Sequence, residues 1–255
     1  MSYIDLKPTL AEWPYDAEQV SVRKILGADE GIRIQMRVEL GVLQMEAEGR
    51  PDSQKPCGCE SLVEYHRKRL ARHEDANGTS LGFVLSPQQC QELRFEASLY
   101  YRRYVALFVL EEYTNVAKDT SHNLKIFDLC RDFALEPEDR TCLEPFRPYV
   151  LMMDARARAH DAIEQREYAS ALAHVNRGIM SIKDCYENQG QSEAMENSEE
   201  LKMLRGLAME INEQMPQDSL LTARKALRAA IEQERFEEAA RLRDEIDKLS
   251  EQKEG

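Results

Sequence analysis

The end of the chain decides its fold, through the run Phe236-Glu237-Glu238-Ala239-Ala240-Arg241-Leu242-Arg243-Asp244-Glu245-Ile246. Apolar residues recur at positions 239, 242, 246 and 249, and this 3-4-3 spacing keeps them on one face of a helix. A second apolar helical pattern precedes the run, and the charged pair Glu234-Arg235 separates the two. The sequence therefore predicts an antiparallel helical hairpin, with helices from about Ser219 to Gln233 and from about Phe236 to Ser250.

The run closely resembles the UVR motif, also called the UvrB/UvrC motif, in the aromatic-acidic-Ala-Ala-x-Leu-Arg-Asp-x-Ile pattern that begins at Phe236. The resemblance implies a helical hairpin that contacts other proteins, as in subunits of the bacterial excision-repair nuclease, Clp-type unfoldases and an activator of a protein-arginine kinase. That activator has paired Cys-x-x-Cys zinc sites, which this chain lacks, so the resemblance does not imply equivalence with it. The alternative is a hairpin that only closes its own domain.

The resemblance implies a partner that carries a UVR-like hairpin or a complementary charged surface, and a homodimer would be another form of the same pairing. Two partner systems follow from the family, the excision-repair machinery and the Clp unfoldase system. We expect Phe236 mainly to hold the hairpin together, and Arg243 and Asp244 to make charged contacts. The predicted partner-binding residues are Phe236, Ala239, Leu242, Arg243, Asp244 and Ile246.

Composition limits the remaining possibilities. The 255 residues carry a formal net charge of -13, which opposes direct nucleic-acid binding, because phosphate binding depends on clustered Lys and Arg. The 6 cysteines are irregularly spaced, unlike a disulfide framework, and indicate a reducing cytosol. No apolar run is long enough for a membrane span, and the N-terminus has no apolar signal core. These features predict a soluble, cytoplasmic protein, and the UVR resemblance implies a bacterial one.

The N-terminal segment, residues 1–60, is predicted to be a small β or irregular region, with a short β hairpin as one form, that ends in a linker. We expect its first twenty residues to be an irregular lead-in that Trp13 anchors to the body. Apolar and polar residues alternate from Ile32 to Leu40, which favours a half-buried strand, and Val42–Ala47 could pair back on it or continue it. A helix over the same residues is the alternative. The polar stretch Arg50–Cys59 is interpreted as a linker.

Helical patterns dominate the middle, residues 61–190, and continue in a final region, residues 197–255, that ends in the hairpin. Ser61 and Ser86 each begin a capping box, and helices are expected at about 113–133, from about Leu151, and at about 199–215. Residues 185–200 are expected to be partly a loop. An aromatic stripe on the second helix is interpreted as core unless part of it proves exposed beside a concavity: Tyr100, Tyr101, Tyr104 and Phe108.

An internal repeat connects the middle with the end of the chain. Ala162–Ala171 aligns without gaps on Ala230–Ala239, and a looser copy spans Leu107–Val116. Each copy combines a helix, a charged corner, an aromatic residue and a small-residue helix. The predicted fold class is therefore mainly α, with tandem helical hairpins that form either a TPR-like array or an irregular bundle.

Catalytic motifs were not found in the sequence, and its histidines are scattered, so the chain is predicted not to be an enzyme and to need no cofactor. A polar pocket with a buried His or paired carboxylates would be the sign of an unrecognised enzyme. Cys57 and Cys59, followed by His66 and His73, form the one metal-like pattern. Two His seven residues apart on a helix cannot share one zinc, so no metal site is predicted. The alternative function is a thiol- or zinc-dependent sensor that uses Cys57 and Cys59.

Overall fold

The computed structural model describes residues 5–215, 227–231 and 235–244. As predicted, the chain is mainly helical, with a small antiparallel sheet near its N-terminus. It divides into two compact units, Met1–Ile211, which we call the body, and Asn212–Gly255, which we call the C-terminal unit. In the described ranges, no helix combines the length and apolarity that a membrane crossing requires. The finer division at 60, 190 and 197 stays a prediction.

The sheet consists of three strands in chain order, β1 (Val22–Leu26), β2 (Ile32–Val38) and β3 (Gly41–Glu46). Ile34 on β2 pairs with Met45 on β3, and both side chains are buried in the core. The helix alternative for this segment is therefore wrong, and β3 pairs back as one of the two predicted possibilities. Leu40 was expected on the apolar face but is 92% exposed, because it lies in the turn between β2 and β3.

The prediction of an irregular lead-in is wrong for α1 (Lys7–Glu12). Pro8 occupies the first turn of this helix, where its missing N–H breaks no helical hydrogen bond. The anchoring role of Trp13 is confirmed, since the Arg23 guanidinium lies 4.2 Å above its ring. The Nε of Arg37 donates to the carbonyl of Trp13 at 2.7 Å. Arg37 is therefore buried, although the alternation placed it on the polar face.

Helices form the rest of the body. They are α2 (Leu62–Asn77), α3 (Pro87–Val109), α4 (Tyr113–Phe133), α5 (Pro137–Thr141), α6 (Arg147–Glu164), α7 (Tyr168–Asn188), α8 (Ser192–Asn197) and α9 (Glu199–Gln214). Short 3-10 turns occupy Pro56–Gly58 and Glu144–Phe146.

The caps that begin α2 and α3 are confirmed. Ser61 accepts a hydrogen bond from the N–H of Glu64, and Ser86 forms a full capping box with Gln89. The carboxylate of Glu64 accepts from the N–H of Glu60 rather than from Ser61, so only half of the first predicted box is present.

Two predicted boundaries need correction. Helix α6 begins at Arg147 rather than near Leu151, because Pro148 is accommodated in its first turn and does not delay the helix. The segment 185–200, expected to be partly loop, is non-helical only at 189–191 and 198, because α7 continues to Asn188 and α8 occupies Ser192–Asn197.

Two apolar clusters hold the body together. One joins the sheet to α3, α4, α6, α7 and α9, and the other joins α2 to the start of α3 and the end of α4. Gly178 on α7 permits a close approach to α6, since a Cβ on it would lie 2.4 Å from the Cβ of Ala155. The helices pack as successive hairpins, α3 with α4 and α6 with α7. The choice between a TPR-like array and an irregular bundle stays a prediction.

Beyond the end of α9, the described part of the C-terminal unit is helical at 227–231 and again at 236–244. These stretches fall inside the two helices predicted for the hairpin, on either side of its corner. The remainder of the predicted hairpin, including Ile246, lies outside the described residues.

Candidate functional site

Three helix corners share one backbone geometry. In each, the residue before the aromatic donates its N–H to the carbonyl five residues earlier, and its own carbonyl then accepts from the residue four positions later. The first set of bonds is Glu112 to Leu107 (2.9 Å), Glu167 to Ala162 (2.8 Å) and Arg235 to Ala230 (2.8 Å). The second set is Val116 to Glu112 (3.0 Å), Ala171 to Glu167 (2.9 Å) and Ala239 to Arg235 (3.0 Å). The repeat aligned from the sequence is therefore also a structural repeat.

A left-handed residue ends the first helix at both corners of the body. Glu111 has φ of 60° and Arg166 has φ of 61°, a conformation that favours glycine. Gly190, with φ of 65°, occupies the same place where α7 turns into α8. The two charged residues therefore carry a backbone strain of about 1–2 kcal/mol each, the typical cost for a non-glycine residue.

In the body, neighbouring helices cover the apolar residues of these corners. The ring of Tyr113, which begins α4, stacks on His160 of α6 with centroids 4.9 Å apart. Phe108 packs against both of these rings, and the guanidinium of Arg156 lies 4.4 Å from its centroid. Tyr168, the aromatic of the second corner, packs half-buried against the main apolar cluster.

The corner of the C-terminal unit is uncovered at the equivalent positions. Ile231 is 54% exposed and Phe236 is 69% exposed, whereas Ala230 and Ala239 are buried. The small residues of this corner are thus the buried ones. Phe236 was expected to hold the two helices together, but it presents most of its surface to the outside. We call Ile231 and Phe236 the apolar tip.

Charged side chains surround the apolar tip. Arg235 forms an ion pair with Glu238 at 2.5 Å, and both are about half exposed. Of the other predicted partner-binding residues, Leu242 is half-buried, and Arg243 and Asp244 are exposed. An open concavity of about 660 Å³ is lined by Arg235, Phe236, Glu237, Glu238 and Arg241.

The metal-like residues do not form a site. In residues 5–215, 227–231 and 235–244, no three His, Cys, Asp or Glu side chains are placed to hold one metal ion. Cys57 is exposed, and His66 is buried in α2, where burial first and Arg69 second lower the pKa of its imidazole to about 4. Within the described residues, no third metal ligand therefore lies beside Cys57 and Cys59, and the zinc form of the sensor alternative gains no support.

A buried polar cluster in the body was missed by the sequence reasoning. The carboxylate of Glu96 accepts from the N–H of Leu62 at 2.8 Å and meets His122 Nε2 at 2.9 Å and Arg50 Nε at 3.2 Å. Burial opposes ionisation of Glu96, but the hydrogen bonds from His122 and Leu62 outweigh it and lower the pKa of this carboxyl. Arg50 was predicted to lie in a linker, and no periodic pattern in the sequence indicates that its side chain is buried.

A second buried pair adjoins this cluster. Arg103 holds Asp119 through two hydrogen bonds of 2.8 and 2.7 Å, and it also donates to the carbonyls of Glu46 and Gly49. We call these residues, with Glu96, His122 and Arg50, the polar joint, because they attach the sheet and its following turn to α3 and α4.

The polar joint borders a cleft of about 390 Å³, lined in part by Tyr100, Arg103 and His122. This is the kind of polar pocket that was named as the sign of an enzyme. Its charged groups pair with one another and with backbone groups, although within the described residues the buried Nε of Arg50 forms an ion pair and no hydrogen bond. We therefore assign the cluster to the attachment of the sheet.

Comparison with protein families gives a match between residues 217–252 and the model of the UvrB/uvrC motif. The match includes both described helical stretches of the C-terminal unit, the corner between them and the apolar tip. Comparisons with curated proteins and with solved structures gave no match. The chain therefore carries a UVR motif at its C-terminal end.

Proposed function

We propose that this protein is a non-catalytic adaptor or regulatory protein that docks through its UVR hairpin onto a similar hairpin of another protein. The observation that carries the proposal is the exposed apolar tip. Its aligned residues in the body, Phe108 and Tyr113 at one corner and Tyr168 at the other, are packed against neighbouring elements. Exposed apolar side chains at the corner of a protein-binding motif are available to a partner protein.

The body also indicates how such a tip can be covered. Tyr113 is stacked on a ring that projects from the next hairpin in the chain, on α6. A helix of a partner hairpin would cover Phe236 in the same manner. Arg243 and Asp244, both exposed and adjacent, suit a partner with the same Arg-Asp pair, because each charge can then face its opposite.

The acidic composition supports a protein partner rather than a nucleic acid. Among proteins known to carry UVR hairpins, the excision-repair machinery and the Clp unfoldases are the two systems that we propose as partners. A cytoplasmic location is part of the proposal, and the six free cysteines support it.

Affinity capture from the native cell lysate tests the proposal. The full chain is compared with Phe236→Ser, with Arg243→Glu and with a chain that ends at Gln217. Phe95→Ser is the matched control, since Phe95 is another aromatic with 55% exposure, but it lies on α3 in the body. We expect the full chain and the control to capture a UVR-bearing protein, and the other three to lose at least tenfold of it.

Capture that is equal for all five proteins would overturn the proposal, because recognition would then belong to the body. A captured partner without a helical hairpin would overturn the pairing mode. Sedimentation of the purified chain tests whether it forms a homodimer. Self-association that Phe236→Ser abolishes would assign the tip to pairing between two copies.

A further inference from the structure

The body contains an apolar cavity that the proposed function does not use. It lies among α3, α4 and α6, and its volume is about 600 Å³, within the usual range for small-molecule sites. Tyr101 is 46% exposed at this cavity, although the aromatic stripe to which it belongs is otherwise largely core. The apolar lining includes Tyr101, Tyr104, Phe127, Leu143, Phe146 and Tyr149.

One buried polar side chain in the lining has an acceptor without a donor among the described residues. Asn123 on α4 is 2% exposed, and its Nδ2 donates to the carbonyl of Ala97 at 3.0 Å. Within the described part of the chain, no donor reaches its Oδ1. A buried acceptor without a donor is unfavourable, and a bound N–H or O–H group would satisfy it.

The lining contains one residue of each charge, Arg94 and Glu200. The guanidinium of Arg94 forms an ion pair with Asp139 and lies 3.7 Å from the sulfur of Cys142. Glu200 accepts a hydrogen bond from the hydroxyl of Ser198 at 2.8 Å. One positive and one negative side chain line the cavity, so it favours a neutral occupant.

We propose that this cavity binds a neutral small molecule that contains a planar ring and one N–H or O–H donor, with the donor directed to Oδ1 of Asn123. The tyrosine and phenylalanine rings supply faces and edges against which a planar ring packs favourably. The single unpaired acceptor gives the site its polar selectivity. This proposal is independent of the UVR hairpin.

Indole and benzofuran form a matched pair of probes, because they have nearly the same shape and only indole has an N–H donor. Isothermal titration of the full chain with each probe measures the two affinities. We expect indole to bind about fivefold more tightly than benzofuran, the ratio that one added neutral hydrogen bond typically gives.

Two variants locate the binding. Asn123→Leu should bind both probes equally, because it removes the acceptor and keeps the shape of the side chain. Ser98→Trp places a large ring in the cavity from its half-buried edge and should reduce indole binding at least tenfold. Phe95→Ser, which changes an exposed aromatic of α3 outside the cavity, should bind indole normally. Thermal unfolding verifies that each variant is folded.

Three results would overturn the proposal. Absence of binding of both probes at millimolar concentration would exclude a ring-binding site. Equal affinities for indole and benzofuran in the unmodified chain would exclude Asn123 as the acceptor. Undiminished indole binding by folded Ser98→Trp would place the probe elsewhere on the molecule.

Discussion

The corner between α6 and α7 and the corner of the C-terminal unit have the same backbone but different surroundings. Their equivalent hydrogen bonds, at Glu167 and at Arg235, are both 2.8 Å long. At the first corner Tyr168 is packed against the core, and at the second Phe236 is 69% exposed. The comparison teaches that local sequence sets the corner geometry, whereas the neighbouring element decides whether the corner is part of a core or a surface for binding.

The largest effect is expected from a variant that destabilises the body and leaves the hairpin unchanged. Arg103→Ala should lower the free energy of unfolding by about 3–5 kcal/mol, because it leaves Asp119 as a buried unpaired charge. Urea denaturation followed by circular dichroism measures the loss. Arg102→Ala, which changes the exposed arginine beside it, should alter stability by less than about 0.5 kcal/mol. Equal effects of the two variants would show that the polar joint does not attach the sheet.

Truncating the aromatic at a covered and at an uncovered corner sharpens the comparison. Tyr113→Ala should cost about 2–3 kcal/mol of unfolding free energy, since the ring is half-buried and stacked on His160. Phe236→Ala should cost less than about 0.5 kcal/mol, since most of its ring is already exposed. Denaturation curves of both variants provide the test. A loss of stability at Phe236 as large as at Tyr113 would mean that the apolar tip is structural.

Glycine at the left-handed corner position should give the smallest effect. Arg166→Gly should raise the unfolding free energy by about 0.5–1 kcal/mol, because it relieves the strain at φ of 61°. Arg166→Ala is the control and should give no gain. The aligned residue of the third corner, Glu234, lies outside the described residues. A similar gain in thermal stability of the C-terminal unit from Glu234→Gly would extend the shared geometry to that position, and a loss would limit it to the body.

The periodicity of apolar residues predicted the helices well, because a helical spacing depends only on residues close together in the sequence. The bounds of α4 match the prediction, and α9 ends within one residue of it. The strand over 32–38 was predicted from alternation, whereas β1 was not, because Val22–Leu26 is short and its pairing with β2 is a long-range property. Pro8 and Pro148 lie in the first turns of their helices and interrupt neither, a placement that the apolar periodicity does not indicate.

The candidate site was predictable only in part. The repeat identified the corner and the inward alanines, because these depend on local chain geometry. The exposure of Phe236 was not predictable, since the same aromatic position is covered at Tyr113 and Tyr168 by elements that the alignment does not include. No sequence pattern indicates the polar joint either, because Arg50 and Glu96 are 46 residues apart and come together only in the folded chain.

The bonds of Arg103 to the sheet also set an order of events during synthesis. Arg103 reaches the carbonyls of Glu46 and Gly49 from 57 and 54 residues further along the chain. At typical translation rates the sheet therefore leaves the ribosome about 3–10 s before the arginine that secures it. For that interval Ile34 and Met45 have no helical core to cover them, so we expect the nascent sheet to be the part of the chain that a ribosome-bound chaperone recognises first.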